Sequence, residues 1–336
     1  MEAASTPPRR RIELVDCARG LALVAMAVYH FTWDLDFFGY IEPGSSVTGG
    51  WRIFARCIAI SFLFIVGVSL YLGNGHGIRW KSYWRRLAMI TAAALAVTAA
   101  TIVVTPGAFI FFGILHHIAV ASLLGLLFLR LHWAVIILSG IIAVVLPHVA
   151  TSAAFNHPVL WWIGLSTEVA PSTDFVPLFP MFGAVLFGIG AAKVSERTGL
   201  TERLAALTWP ERIPLLGFFG KHSLAFYLLH QPVLISIVWV FAQVLPPPPP
   251  DQGALFLSAC NVECVAFREE PFCNAYCSCL LDKAKANKLA DQLFGPDEAT
   301  TERLRGLANT CLIENTPGEG LAPAEGSRSG ESDDSQ

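Results

Sequence analysis

Seven stretches of this chain run almost uninterrupted by charge: about residues 14–38, 55–72, 84–104, 110–129, 133–149, 177–194 and 222–245. None alternates polar with apolar positions as a half-buried strand would. Each is a continuous apolar run close to the roughly 20 residues a helix needs to cross a bilayer, and a helix satisfies every backbone group within one segment. The pattern predicts an all-α polytopic transmembrane bundle of about seven spans. Pro177 and Pro180 fall where the sixth span starts, a position that suits proline better than a helix interior. The stretch PVLWWIGL (158–165) is too short to span and reads as interfacial or re-entrant, with Trp161 and Trp162 as anchors; LTWPERIPLLGFF (207–219) reads alike. The first run is too long, and too charged at its far end, for a cleaved signal peptide.

Composition agrees. Hydrophobic residues make up 54% of the 336 and charged residues 15%, against about 25% charged in a soluble domain. The lipid bilayer is the expected partner, and no nucleic-acid partner is expected. Lys and Arg alternate between loops. Arg9, Arg10 and Arg11 precede the first span, Arg79, Lys81, Arg85 and Arg86 lie between the second and third, Arg130 between the fourth and fifth, and Lys193, Arg197, Arg203, Arg212 and Lys221 between the sixth and seventh. The loop at 150–176 has none. The positive-inside rule then predicts a cytoplasmic N-terminus in the cell (inner) membrane, and seven spans put the C-terminus outside the cytoplasm.

Charge changes sign beyond five consecutive prolines, Pro246–Pro250, which predict a stiff extended spacer. Residues 1–250 hold 16 Lys/Arg against 11 Asp/Glu, and residues 251–336 hold 7 against 15. The expected organisation is a tail (1–11), a membrane domain (12–245), the spacer (246–250), a cysteine-rich helical appendage (251–314) and an acidic tail (315–336) with too little to bury to fold. Six of eight cysteines lie in the appendage: Cys260, Cys264, Cys273, Cys277, Cys279 and Cys311. Two i,i+4 pairs suit the facing sides of a helical hairpin stapled twice, with Cys279 left for Cys311. Fifteen pairings are open in principle. A metal site is the alternative, but the spacing lacks C-x2-C and the appendage has no histidine, so no metal is expected. DKAKANKLADQLFG (282–295) and DEATTERLRGLANTCL (297–312) read as amphipathic helices, the second with Asp297 as N-cap.

Polar groups inside the apolar runs are the candidates for chemistry. Asp16 and Arg19 begin the first span; His30 comes about 16 Å beyond Arg19 at 1.5 Å per residue. Asp34 is one turn past His30, on the same face, where it is expected to orient the imidazole, while Asp36 points elsewhere. His116 and His117 open the fourth span about 100° apart, so at most one is expected to face such a site. Asp174 precedes the sixth span. Ser223, Tyr227 and His230 share one face of the seventh, with Gln231 beside them and Pro232 loosening the helix. Imidazole suits general-base work near neutral pH, proton relay or brief acyl carriage. Neither H-E-x-x-H, G-x-S-x-G nor G-x-x-x-x-G-K occurs.

Four stretches together, RIELVDCARGLALVAMAVYHFTWDL, FFGILHHIAVASLL, STDFVPLFPMFGAVLFGIGAAK and GKHSLAFYLLHQPVL, resemble the bacterial branch of the heparan-α-glucosaminide N-acetyltransferase catalytic-domain family over roughly residues 10–245. The resemblance implies a membrane acyltransferase that takes an acetyl or acyl group from cytosolic acetyl-CoA (acyl-CoA) and passes it to an amine or hydroxyl of a cell-envelope sugar or glycan. It implies catalytic roles for His30, Asp34, His116 and His230, and acceptor contacts for Asp174 and Gln231. Arg19, Arg79, Arg85 and Arg86, with Lys81, Lys193 and Lys221 nearby, are then the expected holders of the coenzyme A phosphates. The cysteine-rich appendage is not part of the family pattern. Two other functions fit the sequence: a transporter or flippase for a glycan or small anion, and a membrane anchor that displays the appendage.

Overall fold

The computed structural model describes residues 12–168, 170–206, 214–248, 251–265, 267–294 and 297–316. Arg9–Arg11, Arg212 and most of the acidic tail lie outside them. Among the described residues every regular element is helical. The chain divides into two compact units, residues 1–38 with 45–246 and residues 39–44 with 247–336.

The first unit contains α1 (Glu13–Phe37), α2 (Gly49–Asn74), α3 (Trp80–Val104), α4 (Ile114–Phe128), α5 (Trp133–Ala150), α6 (Leu178–Arg197), α7 (Leu200–Ala206), α8 (Pro214–Lys221) and α9 (Ser223–Val244). Six of these, α1, α2, α3, α5, α6 and α9, are long and apolar enough to cross a membrane, so the chain is an integral membrane protein. The stretch read as the fourth span holds only the 15-residue α4, about 22 Å long. Residues 110–113 stay out of it for a local reason. The Ile110 carbonyl accepts from the Thr98 hydroxyl and the Phe112 carbonyl from the Val176 N–H, so these carbonyls are held by other parts of the chain.

Helices α2 and α3 begin earlier than hydropathy alone indicates. Arg52 and Arg56 sit in the first two turns of α2, and Lys81, Arg85 and Arg86 in the first two of α3. Long basic side chains can cover apolar helix surface while their heads reach water. Pro177 is the N-cap of α6, and Phe179 is still extended at φ −102°, ψ 133°, so both prolines do occupy the helix start. Residues 158–163 form a single 3-10 helix. Trp161 Nε1 donates to the Asn156 carbonyl, and Asn156 Oδ1 collects donors from Ser166 and Thr167, which folds the loop on itself. Residues 207–213 of the similar second stretch lie outside the described residues, and the remainder forms α8.

Helix α6 is the central element, packed on α2 and α5. Its small residues permit close backbone approach. A Cβ on Gly67 of α2 would stand 2.0 Å from the Val185 carbonyl oxygen, and one on Gly188 of α6 would stand 2.1 Å from that of Phe64. Gly20 and Gly220 do the same for α1 against α8.

The second unit contains α10 (Gln252–Cys264), α11 (Glu270–Ala286) and α12 (Glu298–Asn315). Two disulfides, Cys260–Cys277 and Cys264–Cys273, staple α10 to α11, and Cys279–Cys311 ties α12 to α11. Cys279, Cys311 and Glu314 gather closely enough to suggest a metal site, but both sulfurs are consumed in their disulfide. Cys17 and Cys57 are free thiols. Asp297 caps α12 by accepting from the Thr300 N–H at 2.7 Å, and the Thr300 hydroxyl together with that N–H holds its carboxyl below the usual range. The separate helix expected over 282–295 does not form. Residues 282–286 continue α11, Lys288 turns left-handed at φ 57°, and the Leu289 N–H closes back on the Ala284 carbonyl. That closure ends the helix in the manner of a Schellman cap.

Candidate active site

The polar groups of α1 fall at its two ends. At the first, the start of α1, the end of α2, the start of α3, the end of α6 and α7 surround a cavity of about 1250 Å³. Arg19, Arg79 and Arg86 line it, opposed by Asp16, Glu196 and Glu202. Arg19 is tightly held: its guanidinium donates to Asp16 at 2.9 Å, to Ser69 Oγ at 2.8 Å and to the Gly220 carbonyl at 3.2 Å. It therefore joins α1, α2 and α8 as well as facing the cavity. Glu196 receives the Tyr71 hydroxyl at 2.7 Å and lies 3.2 Å from His76 Nε2.

Four of the basic residues expected to hold phosphate, Lys81, Arg85, Lys193 and Lys221, do not line this cavity. Arg85 does not line this cavity and faces a separate hollow with Trp80 and Lys81, because it is about 100° round α3 from Arg86. Lys193 donates to the Leu129 and Leu131 carbonyls and so caps the end of α4.

At the far end of α1 the expectation for Asp34 is corrected. Among the described residues it makes no hydrogen bond to His30. Side chains one turn apart both reach across to α9: Asp34 Oδ1 accepts from Gln231 Nε2 at 2.7 Å, and the His30 ring stands 4.9 Å from that of His230 in an edge-to-face arrangement. Asp36, as expected, turns away and accepts from the Ser46 N–H at 2.9 Å. Asp34 is fully buried. The His230 Nδ1 lies 2.7 Å from the Tyr227 carbonyl. A carbonyl only accepts, so Nδ1 carries the proton and Nε2 keeps its lone pair. That Nε2, Asp34 Oδ2 and Gln231 Oε1 are all buried with no partner among the described residues. A lone-pair base, a carboxylate oxygen and an amide oxygen are all acceptors, which suits a ligand that brings N–H or O–H donors.

A second constellation lies at the start of α4. Asp174 Oδ2 accepts from the Ile114 N–H at 3.3 Å and crowds Gly113, where a Cβ would stand 2.5 Å away. Burial pushes the Asp174 carboxyl up, and the Ile114 N–H partly opposes this. Asp174 is within electrostatic range of the Tyr29 and Tyr227 hydroxyls. His116 is tied up on both sides. Its Nδ1 receives the Gly113 N–H at 3.3 Å, and its Nε2 stands 3.2 Å from Thr98 Oγ1, whose own proton goes to the Ile110 carbonyl. His116 thus joins α3 to α4 and has no lone pair left for a base. His117 is the more deeply buried of the two, with Nδ1 3.2 Å from the Val176 carbonyl. The two histidines do face different partners.

Sequence reading overlooked Tyr83. It lines the cavity at the basic end with its hydroxyl buried and unpartnered among the described residues. The signal was its spacing, four residues after Arg79 and three before Arg86, which puts all three on one helix face.

No curated protein and no solved structure matches the chain. The family model for the heparan-alpha-glucosaminide N-acetyltransferase catalytic domain matches residues 11–232, a range that takes in α1 with its His30 and Asp34, the basic-end cavity, and α9 as far as His230 and Gln231. The chain therefore belongs to the heparan-α-glucosaminide N-acetyltransferase catalytic-domain family.

Proposed function

We propose that this protein transfers an acetyl group from cytosolic acetyl-CoA to an amine of a sugar or glycan on the other side of the membrane, with the His30–His230 pair supplying the base. The observation that carries this reading is the buried Nε2 of His230, freed as a lone pair because Nδ1 is committed to the Tyr227 carbonyl. Family membership supports acetyl transfer. The unpartnered Asp34 oxygen favours an amine acceptor, because a buried carboxylate is complementary to an ammonium group.

In this reading the phosphates of the donor lie in the basic-end cavity, which we take as cytoplasmic under the positive-inside rule. The thioester arm extends along α1 toward His30, about 16 Å beyond Arg19. Asp34 and Gln231 hold the acceptor amine. The bound ammonium first gives one proton to His230 Nε2, and the freed amine lone pair then attacks the thioester carbonyl carbon. The C–N bond forms, the C–S bond breaks, and coenzyme A leaves as a thiolate that takes up the second proton from the nitrogen. His30, edge-on to His230, holds that ring in place for the proton transfer.

The test uses inside-out vesicles that carry the protein and a lumenal glucosamine-bearing acceptor. Labelled acetyl-CoA added outside should yield N-acetylated product inside, and His30→Ala and His230→Ala should each abolish it while coenzyme A still binds. Full turnover in both variants would remove the pair from the chemistry.

A further inference from the structure

We propose that Tyr83 and Arg86 together seat a phosphoryl group of the thioester donor, and that the Tyr83 hydroxyl makes the cavity selective for a phosphorylated carrier. The proposal rests on the donor reading above. Both residues project from one face of α3 into the basic-end cavity. Tyr83 is only 6% exposed, and its ring packs edge-on against Trp80 and Trp84, so packing fixes where the hydroxyl lies. That hydroxyl is buried and hydrogen-bonds to no described residue, whereas buried polar groups are almost always paired.

The neighbours indicate what pairs with it. Arg86 makes no ion pair or hydrogen bond with another described residue, and it is close enough to Arg19 for the two cations to repel. Arg19 has Asp16 as its counter-charge. Of the other carboxylates lining the cavity, Glu196 is engaged by Tyr71 and His76, and Glu202 comes from α7. A phenol and a guanidinium side by side present donors to whatever lies between them. A phosphoryl group offers acceptor oxygens and negative charge, which matches both; an amide or thioester arm offers no charge.

The experiment uses the full chain in lipid nanodiscs. Binding of coenzyme A is measured by calorimetry for the wild type, Tyr83→Phe and Arg86→Gln, and transfer is compared between acetyl-CoA and S-acetylpantetheine, which lacks phosphate. Tyr83→Phe keeps the ring packing and removes only the hydroxyl. Each variant should weaken coenzyme A binding about tenfold, and the ratio of kcat/KM for acetyl-CoA over S-acetylpantetheine should fall by the same factor. With 3′-dephospho-CoA, persistence of the loss assigns the diphosphate, and its disappearance assigns the 3′-phosphate; either outcome supports the seat. Wild-type binding by Tyr83→Phe, or an equal loss toward both donors, would overturn it. If the wild type itself binds no coenzyme A, the donor reading falls and this assignment with it.

Discussion

Gln231→Leu probes how α1 and α9 are joined at the candidate site. The Gln231 amide donates to Asp34 Oδ1 at 2.7 Å, and no other hydrogen bond from a described residue reaches the Asp34 carboxyl, which is fully buried. Leucine fills similar space but removes the donor, so both carboxylate oxygens would be left unpaired. A hydrogen bond to a charged group contributes about 1.5–3 kcal/mol. If the carboxylate acts in the transition state, kcat/KM falls roughly 10- to 150-fold, since each 1.36 kcal/mol is tenfold. The assay is labelled acetyl transfer by purified protein in nanodiscs, run beside a thermal unfolding curve that should also show a loss of stability. Asp34→Leu and the double variant complete a cycle. The double should lose less than the sum of the two single losses, because the Asp34–Gln231 hydrogen bond can be lost only once. Gln231→Leu within twofold of wild type, or losses that simply add, would refute the coupling of these two residues.

Four further outcomes are expected. Arg85→Gln should leave coenzyme A binding unchanged while Arg86→Gln weakens it, because only Arg86 lines the large cavity; equal effects by calorimetry would place the donor elsewhere. Gly67→Ala should destabilise the bundle strongly, since its Cβ would collide with the Val185 carbonyl at 2.0 Å and backbone on both sides must move; an unchanged melting profile in detergent would contradict the close α2–α6 contact. Replacing Cys279 and Cys311 together by alanine reopens a 32-residue separation and should cost the second unit about 3–4 kcal/mol by the chain-entropy relation, read as earlier release of α12 in hydrogen exchange. In whole cells, impermeant thiol probes should label the second unit only after reduction; labelling that requires lysis would overturn the topology expected from the sequence.

Sequence alone determined the elements. A continuous apolar run leaves a helix as the structure that satisfies its own backbone in lipid, so α1, α2, α3, α5, α6 and α9 were legible from hydropathy. Local chemistry was equally legible where partners lie within a few residues: Asp297 caps α12, and the i,i+4 cysteines fall on the facing sides of a hairpin. What only the tertiary structure decided is which side chains meet. Helical spacing put Asp34 beneath His30, yet its hydrogen bond goes to Gln231, nearly two hundred positions away. The same spacing could not separate Arg85 from Arg86 without knowing which way α3 faces. It could not foresee that Thr98 and Gly113 would occupy both nitrogens of His116, or that Tyr83 would face a cavity. A helix fixes the angle between its own side chains at about 100° per residue, but its rotation about its axis is set by packing against neighbours distant in sequence, and that rotation determines which polar groups share a site.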